Sequence, residues 1–535
     1  MNRNKLILAF ILILGCTLYG VYFFTRPTGD NRFFNIKLSE AISGYIQQQR
    51  KNNLPINLHE KFGTNFRNIS IDDVDFTDAD LSGMDFSGSV ILKSKFIRAN
   101  LQRVQLNGAT LRDCDFRDSK IGFTQGSNAY LQATDFTGSN FISSDFSYSN
   151  LEDCAFDKTN IADVSFIDSK MARTSFDSAV ITNSVLDLAD LQNATFNNTT
   201  INKVEAVNSN FYNAKMLNTT VVDSNFKATN FSQADLTSSS FNKSYFIDCV
   251  MYATILNDVK FTQANFFGAY FYFTTLSSMK LENLILDNTN FNNTTFSSIN
   301  FNNSTFNNSN FRYCTIKDAV FNNTSFTKAS MLFTTMENTT FQTSILSNLS
   351  LEQVRMNDVN LIGGSFNSVW ANKITADSLS IDSNYLDGTS FFNTNLNNSI
   401  IQKSVVSRVS FSKSILKDFS LVNNSNTNII FYGVSASNCT SSPNLNGIIS
   451  IESDLGLSLA KSSIIDIKQF AAGKNFANLN LSNIELSNLD LSNSDFSNSI
   501  LKGVNFTGSN LTGSSFAGAE VINCKMPPEN SLNQK

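Results

Sequence analysis

The sequence predicts an all-β solenoid, a chain wound into stacked coils around a narrow apolar core. A central residue recurs at every fifth position from Phe66 to Leu421, 72 positions in a row, and all but four are Phe, Leu, Ile, Met or Val. A small residue or Val stands two places before this centre in 62 of the 72 repeats. A period of five fits neither a helix nor a flat strand, whereas four five-residue sides would close one coil and let stacked coils bury a core.

The bulk composition is consistent with a repeat protein and excludes some classes. The 535 residues include 49 Phe but only one Trp, one His and five Pro, and the formal net charge is −5. This charge is neither the basic excess of a nucleic-acid-binding protein nor a strongly acidic surface, so we predict no nucleic-acid partner. A chain of this length would usually contain several domains, but a solenoid grows in one dimension and does not follow that rule.

The first predicted element is a transmembrane signal anchor, residues 1–25. Residues 6–24 form a nearly unbroken apolar run of 19 residues, which as a helix would span about 28 Å, close to the thickness of a bilayer core. Arg3 and Lys5 precede the run, and the positive-inside tendency then places the rest of the chain outside the cytoplasm. We therefore expect a single-pass protein of a bacterial inner membrane with its bulk in the periplasm.

Two alternatives for this segment stay open. One is a cleaved secretory signal, although the run remains apolar past any small-residue cleavage site. The other is a lipoprotein signal, because Ile13 to Cys16 loosely matches a lipobox and makes Cys16 a candidate lipidation site. Apolar residues continue after Cys16, which favours the uncleaved anchor.

Residues 26–63 are predicted to form a linker and a short capping helix. One helical face within residues 33–50 collects the apolar side chains of Phe34, Leu38, Ala41, Ile42, Tyr45 and Ile46. The open end of a solenoid has unpaired strand edges that promote aggregation, and a helix over the first coil would cover them. The alternative is an amphipathic helix that lies on the membrane surface.

The main repeat block, residues 64–436, shows its unit in segments such as Ala79 to Gly83. The centre and the small residue two before it are predicted to point inward, where a narrow, close-packed interior requires the second to be small. The other three positions face solvent and are mostly polar. Cysteines also occupy the small slot, as buried residues rather than ligands or disulfide partners: Cys114, Cys154, Cys249, Cys314 and Cys524.

This pattern closely resembles the pentapeptide-repeat family over most of residues 64–528. The resemblance implies a right-handed quadrilateral β-helix. At about 4.8 Å per coil, the 18 coils of the main block would form a rod roughly 86 Å long. One side of this rod would carry a ladder of seven phenylalanines from Phe76 to Phe196.

The five-residue period is lost after residue 436. Residues 437–475 contain Pro443 and three glycines, and they are predicted to form an inserted loop or irregular element. The period resumes in a second repeat block, residues 476–528, and residues 529–535 are a polar tail. Whether the second block continues the first rod is left open by the sequence.

The sequence indicates no catalytic or cofactor site. The single histidine, His59, precedes the repeats, so the repeats contain no Ser/His or Cys/His pair, and no nucleotide-binding or zinc motif appears. Aspartates such as Asp80 and Asp135 occupy the slot just before the centre, where a carboxylate suits hydrogen bonding to the local backbone. We therefore predict a protein that is not an enzyme and needs no cofactor or metal.

Aromatic residues in outward slots are the feature that indicates function. Of 15 such residues between positions 66 and 421, 14 lie on two adjacent sides of the predicted coil. Exposed aromatic patches usually mark interfaces, so we predict a stripe that binds another protein or a second copy of this chain. One alternative is that flat β faces tolerate aromatics without binding, and another is that the rings contact glycan or peptidoglycan. The candidate interaction stripe comprises Tyr212, Tyr252, Tyr270, Tyr272, Phe273, Tyr313, Phe333, Trp370 and Phe392.

Together these elements predict a non-catalytic, membrane-anchored scaffold or protein-interaction rod of the bacterial cell envelope. One alternative is a secreted or host-directed effector, since the family includes proteins of intracellular pathogens. Another is a gyrase-binding DNA mimic, which some family members are. Duplex DNA carries about one negative charge per 1.7 Å, so a mimic about 86 Å long would need about 50 negative charges, whereas the net charge is −5.

Overall fold

The structure is a computed structural model that describes residues 36–425, 428–442, 448–451, 453, 464–466, 475–482, 484 and 486–527. The apolar run at residues 6–24, with Cys16, lies outside the described residues, as does the polar tail. Among the helices in the described ranges, none is long and apolar enough to cross a bilayer.

The described chain winds into a parallel β-solenoid of about 21 turns. The strands pair in parallel with the strand 20 residues later, as Ile71 pairs with Ile91 and Phe271 with Phe291. The last two pairings of the ladder that begins at Val250 depart from this register: Ile429 pairs with Ile448, 19 residues later, and Ile448 with Ile464, 16 residues later. A register of 20 residues means that four five-residue repeats complete one turn, which confirms the solenoid predicted from the sequence. We name the four sides of a turn by their first central residues: the first side at Ile71, the second at Phe76, the third at Leu81 and the fourth at Phe86.

The strands are short, mostly three residues around a central inward residue. The first side contains Ser70–Asp72, Val90–Leu92, Thr110–Arg112, Val250–Tyr252, Tyr270–Tyr272, Asn290–Asn292, Asn310–Arg312, Ser330–Leu332, Ser350–Glu352, Trp370–Asn372, Ser390–Phe392, Val409–Ser412, Ile429–Tyr432, Ile448–Ile451 and Ile464–Asp466. The last two lie in the stretch for which the sequence predicted an irregular element. The second side contains Thr275–Ser277, Thr295–Ser297, Thr315–Lys317, Thr375–Asp377, Asn395–Asn397, Ile415–Lys417 and Ser435–Ser437.

The third side carries a similarly long ladder. Its strands are Lys120–Gly122, Asn140–Ile142, Asn160–Ala162, Val180–Thr182, Thr200–Asn202, Thr220–Val222, Ser240–Asn242, Lys260–Thr262, Lys280–Glu282, Asn300–Asn302, Val320–Asn322, Ser380–Asp382, Ile400–Gln402, Ser420–Val422 and Thr440–Ser441. Two longer strands, Thr335–Gln342 and Arg355–Ile362, continue from the second side to the third. The fourth side contains Tyr385–Asp387 and Val405–Ser407, and the second block contains Ile500–Lys502 and Glu520–Ile522.

Two helices cover the first turns. Helix α1, Ile36–Lys51, buries Ile42 and Ile46 in the core of the main block. Near its end, the Arg50 guanidinium donates to Asp75 Oδ2 at 3.1 Å and to the carbonyl oxygen of Thr77 at 3.0 Å. Helix α2 is the short segment Leu58–Phe62. Helix α1 therefore packs on the solenoid itself, as a cap would.

The core of the main block is a continuous stack of central residues. On the second side, the rings of Phe76 to Phe196 stack turn on turn, with centroids 4.3–5.1 Å apart. Gly126 is a central residue without a side chain. The ring of Phe146 occupies the space, since a Cβ on Gly126 would lie 2.6 Å from that ring. Burying each large side chain contributes about 1.5–3 kcal/mol, so the stack is a major source of stability.

The small inward slot is also polar. Its hydroxyls donate across 23 residues to the carbonyl oxygen of a central residue in the previous turn, as Thr124 does to Leu101 at 3.0 Å and Ser139 to Phe116 at 2.6 Å. Cys154 takes the same slot, with its Sγ 2.9 Å from the carbonyl oxygen of Leu131, and burial raises the pKa of its thiol to about 12. Cysteine here replaces a buried serine or threonine.

The second repeat block has a core of its own. Its central residues, beginning with Phe476 and Leu481, form a hydrophobic cluster separate from that of the main block, but Ile430 and Tyr432 of the main block belong to it. The Asn480 side-chain amide donates to the carbonyl oxygen of Gly388 at 2.9 Å, so the second block packs against the side of the main block.

Candidate interaction face

The first side brings the predicted aromatic stripe onto one continuous ladder. Twelve strands, from Val250–Tyr252 to Ile464–Asp466, pair in sequence along this side. Five stripe residues lie within these strands: Tyr252, Tyr270, Tyr272, Trp370 and Phe392. Three occupy the corner position directly after a strand: Phe273, Tyr313 and Phe333. Tyr212 lies two turns earlier on the same side, next to single bridges that lead to the ladder.

The exposure of these nine residues divides them into two groups. Five are exposed, between 38 and 59 %: Tyr252, Tyr270, Phe273, Tyr313 and Phe333. Four are half-buried: Tyr212, Tyr272, Trp370 and Phe392. For Tyr272, burial and then the neighbouring Tyr270 raise the pKa of the phenol. The stripe is thus a partly packed aromatic surface rather than a row of isolated rings.

The rings contact one another in pairs across neighbouring turns. Tyr313 and Phe333 stack with centroids 5.0 Å apart and an interplanar angle of 7°. Trp370 and Phe392 stack at 5.8 Å. Tyr252 meets Phe273 edge to face at 5.6 Å. Such pairs contribute about 0.5–1.5 kcal/mol beyond their burial, which holds the rings in defined positions on the surface.

The rings at corner positions are not explained by the backbone. Phe273, Tyr313 and Phe333 have φ values of 53°, 55° and 54°. This left-handed conformation costs a side chain with a Cβ about 1 kcal/mol, and Asn or Gly adopts it more readily. The chain therefore carries exposed rings at positions where both conformation and solubility favour a small polar residue.

Two cations lie beside the aromatic rings, and sequence reasoning did not include them. The Arg312 guanidinium carbon is 5.2 Å from the centroid of Tyr313, and Lys413 Nζ is 5.9 Å from that of Phe392. In the sequence, the only indication of these two cations is that Arg312 and Lys413 occupy outward slots of the same side. Cation–π contacts at such exposed sites contribute about 0.5–1 kcal/mol each.

Aromatic residues also lie on the fourth side, next to the first. Tyr148, Tyr245, Phe267 and Tyr385 are 43–58 % exposed. On the third side, opposite the first, Phe123 is 53 % exposed and stands without an aromatic neighbour among the outward slots of that side. The aromatic surface is thus confined to one edge of the solenoid.

Ile430 and Tyr432 are the residues of this side that sequence reasoning missed. They occupy outward slots around Phe431, yet their exposures are 0 % and 6 % because the second block covers them. A Cβ at Gly388, nearby on the fourth side, would lie 2.9 Å from Ile500 Cδ1 of that block. Because the five-residue period is lost before the second block, the sequence does not predict this contact.

The aspartates before the centres take a structural role. Asp80 Oδ1 accepts the backbone N–H of Ser82 at 3.0 Å, and Asp135 Oδ1 accepts that of Thr137 at 2.9 Å. These bonds hold the turn that follows each centre. Within the ranges that the structure describes, no three His, Cys, Asp or Glu side chains group closely enough to hold a metal ion.

Comparison with known proteins supports the repeat assignment. A family model described as pentapeptide repeats matches eight times, over residues 63–91, 93–125, 127–161, 207–243, 229–268, 304–342, 475–508 and 490–526. No curated protein matches the chain.

Several solved structures are similar to the chain. HetL from the cyanobacterium Nostoc, a pentapeptide repeat protein involved in heterocyst differentiation regulation, is 19 % identical; the match covers 41 % of this chain and 93 % of HetL, with a TM-score of 0.25. QnrB1, a plasmid-mediated fluoroquinolone resistance protein, is 16 % identical over 39 % of this chain and 92 % of its own, with a TM-score of 0.20. A tailspike of the E. coli bacteriophage HK620 is 11 % identical over 75 % of this chain and 76 % of its own, with a TM-score of 0.22.

The eight matches lie in both repeat blocks, where the structure shows the 20-residue register and inward-facing centres. The chain belongs to the pentapeptide-repeat family.

Proposed function

We propose that this chain is a non-catalytic protein-interaction rod that binds a protein partner through the aromatic surface of its first side. The observation that carries the proposal is the set of exposed rings at corner positions, which neither the core nor the backbone conformation requires. Tyr and Trp are enriched at protein interfaces, because they bury a large area at a low cost in side-chain entropy.

The same proposal places the rod in a bacterial cell envelope, held to the membrane by residues 6–24. The support for this part is the apolar run and the two basic residues that precede it. The net charge of −5 disfavours the DNA mimic. A host-directed effector would use the same binding surface in another location.

Photo-crosslinking in cells tests the binding surface. A photoreactive phenylalanine analogue at Phe273 or Phe333 is expected to give a discrete protein adduct. The same analogue at Asn303, an exposed corner position of the opposite third side, is the matched control and is expected to give none. Equal labelling from both sides, or none from either, would contradict the proposal.

A reporter fusion tests the location. Alkaline phosphatase, which is active only outside the bacterial cytoplasm, is fused after Lys535. We expect active phosphatase in the membrane fraction. If the phosphatase is inactive, and a reporter that works only in the cytoplasm is active at the same position, the envelope assignment is rejected. The binding surface is then judged by crosslinking alone.

A further inference from the structure

The ring pairs of the first side are evenly spaced along the rod. Counting turns by their central residues, the first pair occupies the turns of Met251 and Phe271, the second those of Phe311 and Met331, and the third those of Ala371 and Phe391. The pairs are Tyr252 with Phe273, Tyr313 with Phe333, and Trp370 with Phe392. Each pair is three turns from the next, about 14 Å at the spacing of paired strands.

The turns between the pairs carry no outward ring. Asn290, Asn292 and Asn293 surround Phe291, and Ser350, Glu352 and Gln353 surround Leu351. The order of ring-bearing and ring-free turns therefore reads the same in both directions along the rod, with its midpoint between the turns of Phe311 and Met331. The rings themselves are more numerous at one end, because the turn of Phe271 also carries Tyr270 and Tyr272, which stack with centroids 6.1 Å apart. A surface with this order of turns is self-complementary under a two-fold axis through the midpoint.

We propose that the first side is a self-association surface, on which a second copy of this chain packs with its rod antiparallel. This inference rests on the proposed function, in that it identifies the protein partner as the chain itself. The two-fold axis lies along the strand direction, so each outward slot meets the same slot of the partner. The turn of Met251 then faces that of Phe391, and the turn of Phe271 faces that of Ala371.

This arrangement places ring against ring. The slot of Tyr252 meets that of Phe392, and the slot of Tyr270 meets that of Trp370. The corner ring of Tyr313 meets that of Phe333. Because of the two-fold symmetry, each of these contacts occurs twice in the dimer. Aromatic pairs of this kind contribute about 0.5–1.5 kcal/mol each beyond the area they bury.

The charges on this side also favour the antiparallel arrangement. It places Arg312 opposite Leu332, and Glu352 opposite Asn292. Lys373 faces the slot of Phe273, where an ammonium over a ring is favourable. A parallel dimer instead brings every turn level with its own copy, so that Arg312 and Glu352 each lie near their own charge. Like charges set close together across an interface are unfavourable.

The chain already shows that this side accepts another repeat block. Ile430 and Tyr432 are outward residues of the same ladder, and the second block buries them. The proposed dimer extends this mode of contact along the ladder, over the turns from Met251 to Phe391. Within the chain, this side thus already packs against the second repeat block at Ile430 and Tyr432.

The predicted contact is modest in size. Eight turns span about 38 Å, and a three-residue strand is about 10 Å wide. The contact area that these two lengths enclose is smaller than the roughly 800 Å² that each partner buries in a standard stable interface. We therefore expect a dissociation constant in the range of ~1–100 μM. The association is to be measured over that range.

Sedimentation of the full-length protein in mild detergent tests the dimer. We expect a concentration-dependent monomer–dimer equilibrium, and we expect Phe333→Asn to weaken it at least tenfold. Phe123→Asn is the matched control, since Phe123 is also an exposed corner ring, with a φ of 54°, but lies on the opposite side. A monomer at all concentrations, or equal effects of the two variants, would overturn the proposal.

Disulfide trapping tests the orientation. The starting protein carries Cys16→Ser and Cys524→Ser, because the remaining cysteines are buried. In the antiparallel dimer, a chain with Asn292→Cys crosslinks to a chain with Glu352→Cys, and neither crosslinks to itself. Self-crosslinking of Asn292→Cys alone shows a parallel dimer and contradicts the proposal. Both variants leave every ring in place.

The two proposals fail in distinguishable ways. A monomeric chain whose Phe333 photo-crosslinks to a different protein overturns self-association and leaves the interaction rod intact. A monomeric chain without protein adducts overturns both. Retention of the full-length protein on purified peptidoglycan through the same rings would assign the surface to a glycan, and it would also overturn both.

Discussion

At the scale of single residues, the corner of each repeat is the most constrained position. The residue two after the centre has a positive φ in nearly every described repeat. Asn, Asp and Gly are frequent there because they adopt the left-handed conformation at low cost. Another residue type at this corner adds backbone strain, which the contacts of its side chain either offset or leave uncompensated.

Leu188 provides a test of this constraint. It is a corner residue with a φ of 61°, and it is 54 % exposed. We expect Leu188→Asn to stabilise the protein by about 1 kcal/mol, since Asn relieves the strain and no buried contact is lost. Urea unfolding measures the change. Leu217→Asn, one position after a centre and outside the left-handed region, is the control and should not stabilise. A Leu188→Asn variant that is less stable than wild type would contradict the expectation.

The aspartates give a second test at this scale. The hydrogen bond from Arg117 is the main reason why the pKa of Asp115 is lowered. Burial alone would raise the pKa of Asp145, but hydrogen bonds from Ser147 and Ser127 outweigh it and lower the pKa. A lowered pKa in the folded state stabilises the protein above the ordinary value near 3.9, and this stability is lost as the pH falls through the folded-state value.

We therefore expect the melting temperature to stay nearly constant from pH 7 to about pH 5 and to fall below about pH 4. The variant Asp115→Asn/Asp145→Asn should lose less on acidification, because Asn keeps an oxygen that accepts the backbone N–H and cannot take up a proton. Calorimetry over this pH range measures the difference. An equal or steeper fall in the variant would show that these carboxylates do not set the acid limit.

At the scale of elements, no strand is stable alone. The strands of three residues are too short to persist without neighbours, and stacking turns bury each centre. Phe176 shows the arrangement: its ring is fully buried and stacks on Phe156 at 5.1 Å and on Phe196 at 4.8 Å. The ladder couples each turn to the turns on both sides of it.

We expect Phe176→Ala to destabilise the protein by about 3–5 kcal/mol, through lost burial and the cavity left between two rings. Phe176→Leu should cost less, because Leu fills most of the volume. Urea unfolding followed by far-UV circular dichroism measures both. Phe123→Ala, at an exposed ring, is the control and is expected to stay within about 0.5 kcal/mol of wild type. A small effect of Phe176→Ala would mean that neighbouring turns adjust independently.

The same elements show how far the sequence predicts the structure. A strict period specifies which residues point inward, so the core from Phe66 to Leu421 and the side of each outward ring follow from counting. The half-burial of Trp370 and Phe392 does not follow from counting, because it depends on ring contacts between turns. The contact of Asn480 with Gly388, 92 residues apart, does not follow from counting either, since a period relates only residues within one block.

At the scale of the whole molecule, the chain combines a long main block with a short second block that contacts its side. Stability in a solenoid is a sum of local turn and interface terms. The contact between the blocks is therefore separable from the folding of either one. Its parts are the Asn480 hydrogen bond, the approach of Ile500 to Gly388, and the burial of Ile430 and Tyr432.

Ile500→Asp tests this separation. Ile500 is an outward residue of the second block, so the substitution leaves the core of that block intact but buries a charge against Gly388, at a cost that favours detachment. We expect the second block to stay folded and Tyr432, now 6 % exposed, to become accessible to hydroxyl-radical oxidation. Ile522→Asp, on the same block but 42 % exposed, is the matched control and should leave Tyr432 protected. If Tyr432 stays protected in Ile500→Asp, the approach of Ile500 to Gly388 is not what holds the two blocks together. The second block then acts as a fixed part of the rod.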